Sequence, residues 1–209
     1  MILRKLFDFI SRLFDNLNKQ IRNIYLNSSI YEKKISKIYN KEITYKPSPH
    51  LLTSLIKYQS KKVNIQNISA ENLWDNENIN TDNFKRLNNF YWFFSLDLKS
   101  SKKNTQKIVS DWINRNYKYN FESWEISLTS KRIISWLSNH SLTIEEADNE
   151  YLNLFNLMIQ KQTNHLVSEI YSSENFDDKI IGCAAIILVG LCYKDNKKYI
   201  PFGISFLKK

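Results

Sequence analysis

The sequence predicts an all-α protein, and three observations carry that prediction. Glycine and proline number only three each in 209 residues, too few for the tight turns of a β-sandwich or barrel. Apolar residues recur at three- and four-residue spacing over long stretches. The connecting segments are rich in Asn, Ser and Lys, as helix-to-helix loops are. The pattern divides the chain in two. Residues 1–82 read as an amphipathic helix plus an irregular wrapping segment, and residues 83–209 as an array of helical hairpins. Four of the five tryptophans, Trp92, Trp112, Trp124 and Trp136, fall within residues 90–137, beside the heaviest apolar stripes.

Residues 1–26 form one amphipathic pattern. Leu3, Leu6, Phe7, Ile10, Leu13, Phe14, Leu17, Ile21 and Ile24 keep helical spacing, with Arg4, Lys5, Arg12, Lys19 and Arg22 between them. Such a helix can lie on an anionic membrane surface, or it can pack on its own domain or a partner. Asp8 and Asp15 dilute its basic face. Residues 28–41 continue a weaker helical pattern. Pro47 and Pro49 keep 42–50 extended, and Ile43 and Tyr45 could form a short strand. Residues 51–82 are aperiodic and are expected to wrap over the body, pinned by Trp74.

The helical body begins at Thr81 or Asp82, either a suitable N-cap, and its first helix is expected to reach Leu98. The second helix covers about 105–117 and the third about 124–139. Thr143 and Glu146 have capping-box spacing ahead of a fourth helix, which either runs on to Tyr171 or restarts at Thr163 or Asn164. Residues 177–193 are apolar almost all round, which predicts burial on most faces. Gly182, Ala184, Ala185 and Gly190 would let neighbours approach closely. Asp177 and Asp178 suit the positive N-terminus of that helix. The last stretch, YIPFGISFLKK, opens a new apolar face with Pro201 in its first turn. A helix this short is marginal alone. It either docks as a small cap or begins the next part of a longer protein.

The formal net charge is +9. A chain rich in Lys, Asn and Ile together suggests codon bias and solvated lysines. The alternative is an anionic partner: nucleic acid, acidic lipid or polyanionic sugar. A nucleic-acid reader would use more Arg than this Lys-rich chain does. Cys183 and Cys192 lie nine positions apart in one helical stretch, about 13.5 Å along the axis, which is too far for a disulfide. They read as buried thiols. No secretory signal and no apolar run of membrane-spanning length stands out, so a cytoplasmic location is expected, with a membrane surface or the periplasm as alternatives. Histidines and cysteines lack metal-ligand spacing. Phosphate loops and nucleophile elbows are absent, so no cofactor is expected.

Several residues in order form a more specific pattern. They are Trp112 and Ile113 with Arg115 and Asn116, then Trp124, then Ser130, Arg132, Ile133, Ser135 and Trp136, then Asn164, His165 and Leu166. This set resembles the helical N-terminal region of the bacterial heparinase II/III-like polysaccharide lyases over roughly residues 90–193. The resemblance implies an incomplete α/α-toroid followed by a β-sandwich, and β-elimination on acidic polysaccharides. It implies catalytic roles for Asn164 and His165. An Asn amide can donate to a uronate carboxylate, and a neighbouring His can move a proton. Trp124, Arg132, Tyr117 and Tyr119 become candidate sugar contacts. Other roles are open for the same residues. Asn164 would serve as a helix cap, Arg132 as a holder of carbonyls, Trp124 as a core anchor, and His140 as a C-terminal cap. SSENFDD adds acid, ill-suited to a uronate. The family's later Tyr and His and its β-sandwich lie beyond this sequence. The expectation is therefore a front portion of such a lyase that binds acidic polysaccharide without turning it over alone. The rival is a non-enzymatic basic helical module on an anionic membrane surface or a partner protein.

Overall fold

A computed structural model describes residues 16–37, 42–48, 73–74, 80–96 and 101–208. The fold is all-α. Helix α1 covers 16–26, and α2 is Ser29–Ile35. Next come α3, Thr81–Asn88, and a 3-10 turn, Tyr91–Ser95. The body continues with α4, Lys102–Arg115; α5, Ile126–Ser138; and the short α6, His140–Thr143. Helix α7 is Asn149–Glu169, α8 is Phe176–Cys192, and α9 is Tyr199–Leu207.

Helices α5 and α7 form the spine. Both pack against α8 and each other, α4 leans on α6 and α7, and α2 lies on α7. The close is made by α9, which docks along α8. Extended residues 42–48 pass the end of α8. There Ile43 bridges antiparallel to Tyr193, and Thr44 N donates to Cys192 O at 2.8 Å. A strand-like Ile43 therefore has a partner, but at a single bridge. Cys183 and Cys192 are buried free thiols.

Polar caps start the helices. Ser28, Asn80, Ser101, Asp148 and Asn175 each accept a hydrogen bond from a backbone N–H of the first turn, which satisfies a donor that the helix itself leaves open. Two of these differ from the sequence expectation. Asn80 caps α3 in place of Thr81 or Asp82. Asp148 caps α7 in place of the Thr143–Glu146 box, because the Thr143 hydroxyl bonds back to Trp136 O at 2.8 Å and Glu146 turns left-handed at φ 61°. Helix α7 runs unbroken for 21 residues, so Thr163 and Asn164 sit mid-helix.

The first body helix stops at Asn88, ten residues short of Leu98. Phe90 takes a left-handed backbone, φ 59°, which turns its ring into the core. There it meets Trp74, Trp92, Phe93, Trp112 and Trp136 at centroid distances of 5.1–6.0 Å. Aromatic burial outweighs the backbone penalty of a non-glycine left-handed residue. Trp74 is thus pinned to the body, while most of residues 51–82 lies outside the described residues. Helix α8 departs from the expected all-round burial. Phe176, Ala184 and Leu191 face solvent, while Gly182, Ala185 and Gly190 are buried.

Candidate functional site

A cleft of about 620 Å³ lies between α1, the start of α3, the loop before α5 and the end of α7. Leu26, Phe84, Tyr119, Phe121, Trp124 and Leu128 give it an apolar wall, and Arg22, Lys85, Glu122, Glu125, Glu169 and Asp178 supply its charges. A second depression of about 570 Å³ adjoins it, sharing Arg22, Leu26, Tyr119 and Phe121. Phe121 stands at the common rim and is 75% exposed. Arg22 donates through Nη2 to Glu169 Oε2 at 2.7 Å and to Ser172 Oγ. Lys85 pairs with Glu125 at 3.4 Å. Both lining cations therefore already face a lining carboxylate, and Glu122 and Asp178 tip the balance of the cleft to acid.

His165 lies at the floor, 3% exposed. Its Nε2 is 3.0 Å from Trp124 O. A carbonyl can only accept, so Nε2 carries the proton and Nδ1 accepts from the Tyr31 hydroxyl at 2.7 Å. The rings of Tyr119 and Trp124 stand 5.4 and 5.5 Å from the imidazole. Burial pushes His165 down to about 4, against an opposing pull from Glu169, so it is neutral at pH 7. Burial, reinforced by Glu169, pushes the Tyr31 hydroxyl up, and burial also raises Tyr119. Tyr31 and His165 form a neutral, fully bonded pair beneath the cleft.

The remaining candidate residues have other surroundings. Asn164 Nδ2 donates to Ile35 O at 2.7 Å and to Lys37 O at 2.9 Å, and Oδ1 accepts from Tyr199 Oη at 2.8 Å. Asn164 therefore ties the end of α2 to α9, and it points away from the floor occupied by His165. Arg132 is 0% exposed. It donates to Asn88 O at 2.8 Å, Ser123 O at 3.0 Å and Gln162 Oε1 at 3.2 Å, with its guanidinium 3.8 Å over Trp112. It meets carbonyls rather than an opening, and burial alone pulls it well below the usual arginine range. Tyr117 accepts through its carbonyl from Lys161 Nζ at 2.6 Å, and its ring lies 3.9 Å beneath that ammonium. Lys161 is itself buried against Glu32 at 2.5 Å. Burial lowers it and Glu32 opposes the shift.

The structure thus brings Tyr119, Trp124 and His165 to one cleft, and places Asn164, Arg132 and Tyr117 elsewhere. Sequence reasoning missed Tyr31, Arg22, Phe121, Lys161 and Glu169. Lys161 and Glu169 had a local signal, since each lies four residues from His165 on the same helix face. Among the described residues no group of three or more His, Cys, Asp or Glu could hold a metal ion, and no helix is long and apolar enough to cross a membrane. No protein-family model, curated protein or solved structure matches the chain.

Proposed function

We propose that the cleft between α1 and the start of α5 binds a carbohydrate chain and holds it without chemical turnover. One observation carries this reading: the exposed Phe121 ring, with Tyr119 beside it, at the rim of a cleft otherwise edged by charged and hydroxyl groups. A sugar presents an apolar C–H face and a polar rim, and such a wall complements both. The resemblance to the heparinase II/III-like lyases points to the same ligand class. Its implied uronate suits the cleft poorly, because the lining carboxylates outnumber Arg22 and Lys85. Neutral or amino sugars fit better. Turnover by β-elimination needs an accessible acid and base, whereas both nitrogens of His165 are engaged and Tyr31 is buried.

The test is a calorimetric titration of the chain with chito-, xylo- and alginate oligosaccharides. The expected result is saturable binding of the amino or neutral sugars that weakens about tenfold, roughly 1.4 kcal/mol, in Phe121→Ala. Absence of saturable binding with all three, or preference for alginate unaltered by Phe121→Ala, rejects the reading.

A further inference from the structure

Helix α1 is docked the wrong way round for an ordinary surface helix. Amphipathic helices normally turn their apolar stripe to the core. Here Leu17, Ile21 and Ile24 form the stripe, and they are 49%, 62% and 72% exposed. The opposite side holds the body. Arg22 reaches Glu169 and Ser172, and Leu26 joins the core. Ile30, at the start of α2, is also exposed, at 70%. An exposed apolar stripe of this kind marks an interaction face.

The charge around that face identifies what covers it. Within residues 16–37 the cations are Lys19, Arg22, Lys33, Lys34 and Lys37, and Glu32 is the one carboxylate. Glu32 is held by the buried Lys161 of α7, so its charge is neutralised from behind. Lys33 and Lys37 are exposed, while Lys34 is turned back to Ser168 of α7 at 2.8 Å. A second copy docked on this face would set like charges against each other. An anionic lipid surface would accept both the apolar stripe and the lysines. We infer that α1 and α2 form a peripheral docking face for an anionic membrane, with Leu17, Ile21, Ile24 and Ile30 entering the interface and Lys33 and Lys37 meeting headgroups.

Co-sedimentation of the full chain with phosphatidylcholine vesicles, with and without phosphatidylglycerol, tests this at about 0.1 M salt, where screening acts over about 10 Å. The chain is expected to sediment only with the anionic vesicles. The pair Ile21→Asp and Ile24→Asp, and separately Lys33→Gln with Lys37→Gln, should each reduce the bound fraction severalfold. Far-UV circular dichroism and urea midpoints check that both variants fold, and the lysine pair keeps the test decisive if the isoleucine pair does not. Phe121→Ala should leave vesicle binding unchanged, which separates this face from the sugar cleft. Failure to bind anionic vesicles, binding indifferent to both double variants, or a dimer in lipid-free solution that the isoleucine pair dissolves would each overturn the inference.

Discussion

The Tyr31 hydroxyl and His165 Nδ1 share a 2.7 Å hydrogen bond across 134 positions of chain. This bond joins the N-terminal helical hairpin to α7. It also fixes which imidazole nitrogen carries the proton, because Nε2 is already committed to Trp124 O. The same stripe of α7 supplies Lys161 to Glu32, Asn164 to the end of α2, Ser168 to Lys34 and Glu169 to Arg22. A helix of 21 residues thus serves as a polar rail on which α1 and α2 are mounted.

His165 makes stability depend on pH. Its folded value is about 4 and its ordinary value 6.5. Above pH 6.5 both folded and unfolded chains carry it neutral, and it contributes no slope. Below 6.5 the unfolded chain takes up the proton first, so stability falls as pH drops towards 4 and levels off beneath that. The shift corresponds to a loss of about 3 kcal/mol over this window. Urea unfolding at pH 7.5, 6, 5 and 4 checks it. His165→Gln should be less stable at pH 7.5 but show a shallower slope, and an equal slope in both proteins would disprove the assignment.

Arg132 is predicted to be irreplaceable by lysine. Its guanidinium meets the carbonyls of Asn88 and Ser123 and the Gln162 side chain while stacking on Trp112. An ammonium cannot span these acceptors in one plane. Arg132→Lys should therefore leave buried carbonyls unpaired, each costing about 1–3 kcal/mol. A total near 3 kcal/mol would lower Tm by roughly 6–12 °C. Differential scanning calorimetry reads it directly. A Tm within about 2 °C of the parent would mean that the carbonyls find other partners.

These two sites show what local sequence can reveal. The stripes of α4, α5 and α8 are long, and their helices begin and end within about three residues of where periodicity puts them, whereas α7 starts at Asn149, six residues after the expected cap Thr143. Arg132, Trp124 and His165 stood out as residue types. Their partners did not, because Tyr31, Asn88 and Ser123 come from other elements and leave no periodic trace. The resemblance to a lyase rests on Ser130, Arg132, Ser135 and Trp136, among others. In this chain Ser130 bonds Ile126 O and Ser135 bonds Phe90 O, both at 2.6 Å, and Trp136 is wholly buried. In these positions the motif specifies packing. The end of α3 was illegible for a related reason. The run from Phe90 to Phe94 has helical spacing, and only aromatic partners distant in sequence turn Phe90 left-handed.

Phe90 therefore inverts a familiar ranking. Glycine in place of a packed residue is usually worse than alanine, but at φ 59° glycine carries no strain. Both Phe90→Ala and Phe90→Gly lose the ring that meets five aromatic neighbours, at about 3–5 kcal/mol. Phe90→Gly should be the milder of the two by about 1 kcal/mol. Paired urea denaturation curves measure the difference. Alanine proving the more stable would mean that the left-handed turn relaxes once the ring is gone.

The docking of α9 on α8 gives a prediction in the opposite sense. Alanine is the better helix former by about 1 kcal/mol, so replacing a helical glycine should stabilise wherever space allows. At Gly182 a new Cβ would meet the tip of Ile170, Cδ1 at 2.8 Å, with the next atom at 3.5 Å. One side-chain rotation relieves that contact, and Gly182→Ala should fall within about 1 kcal/mol of the parent. At Gly190 the Cβ would meet Ile200 Cγ1 at 2.9 Å and two backbone atoms, Ile200 N at 3.1 Å and Asn196 O at 3.2 Å. The turn into α9 cannot rotate out of the way as a side chain can. Gly190→Ala should lift α9 from α8 and cost about 1–3 kcal/mol, seen as a lower urea midpoint and faster hydrogen exchange across Tyr199–Leu207. A Gly190→Ala protein as stable as Gly182→Ala would show that the two helices have room to separate without loss.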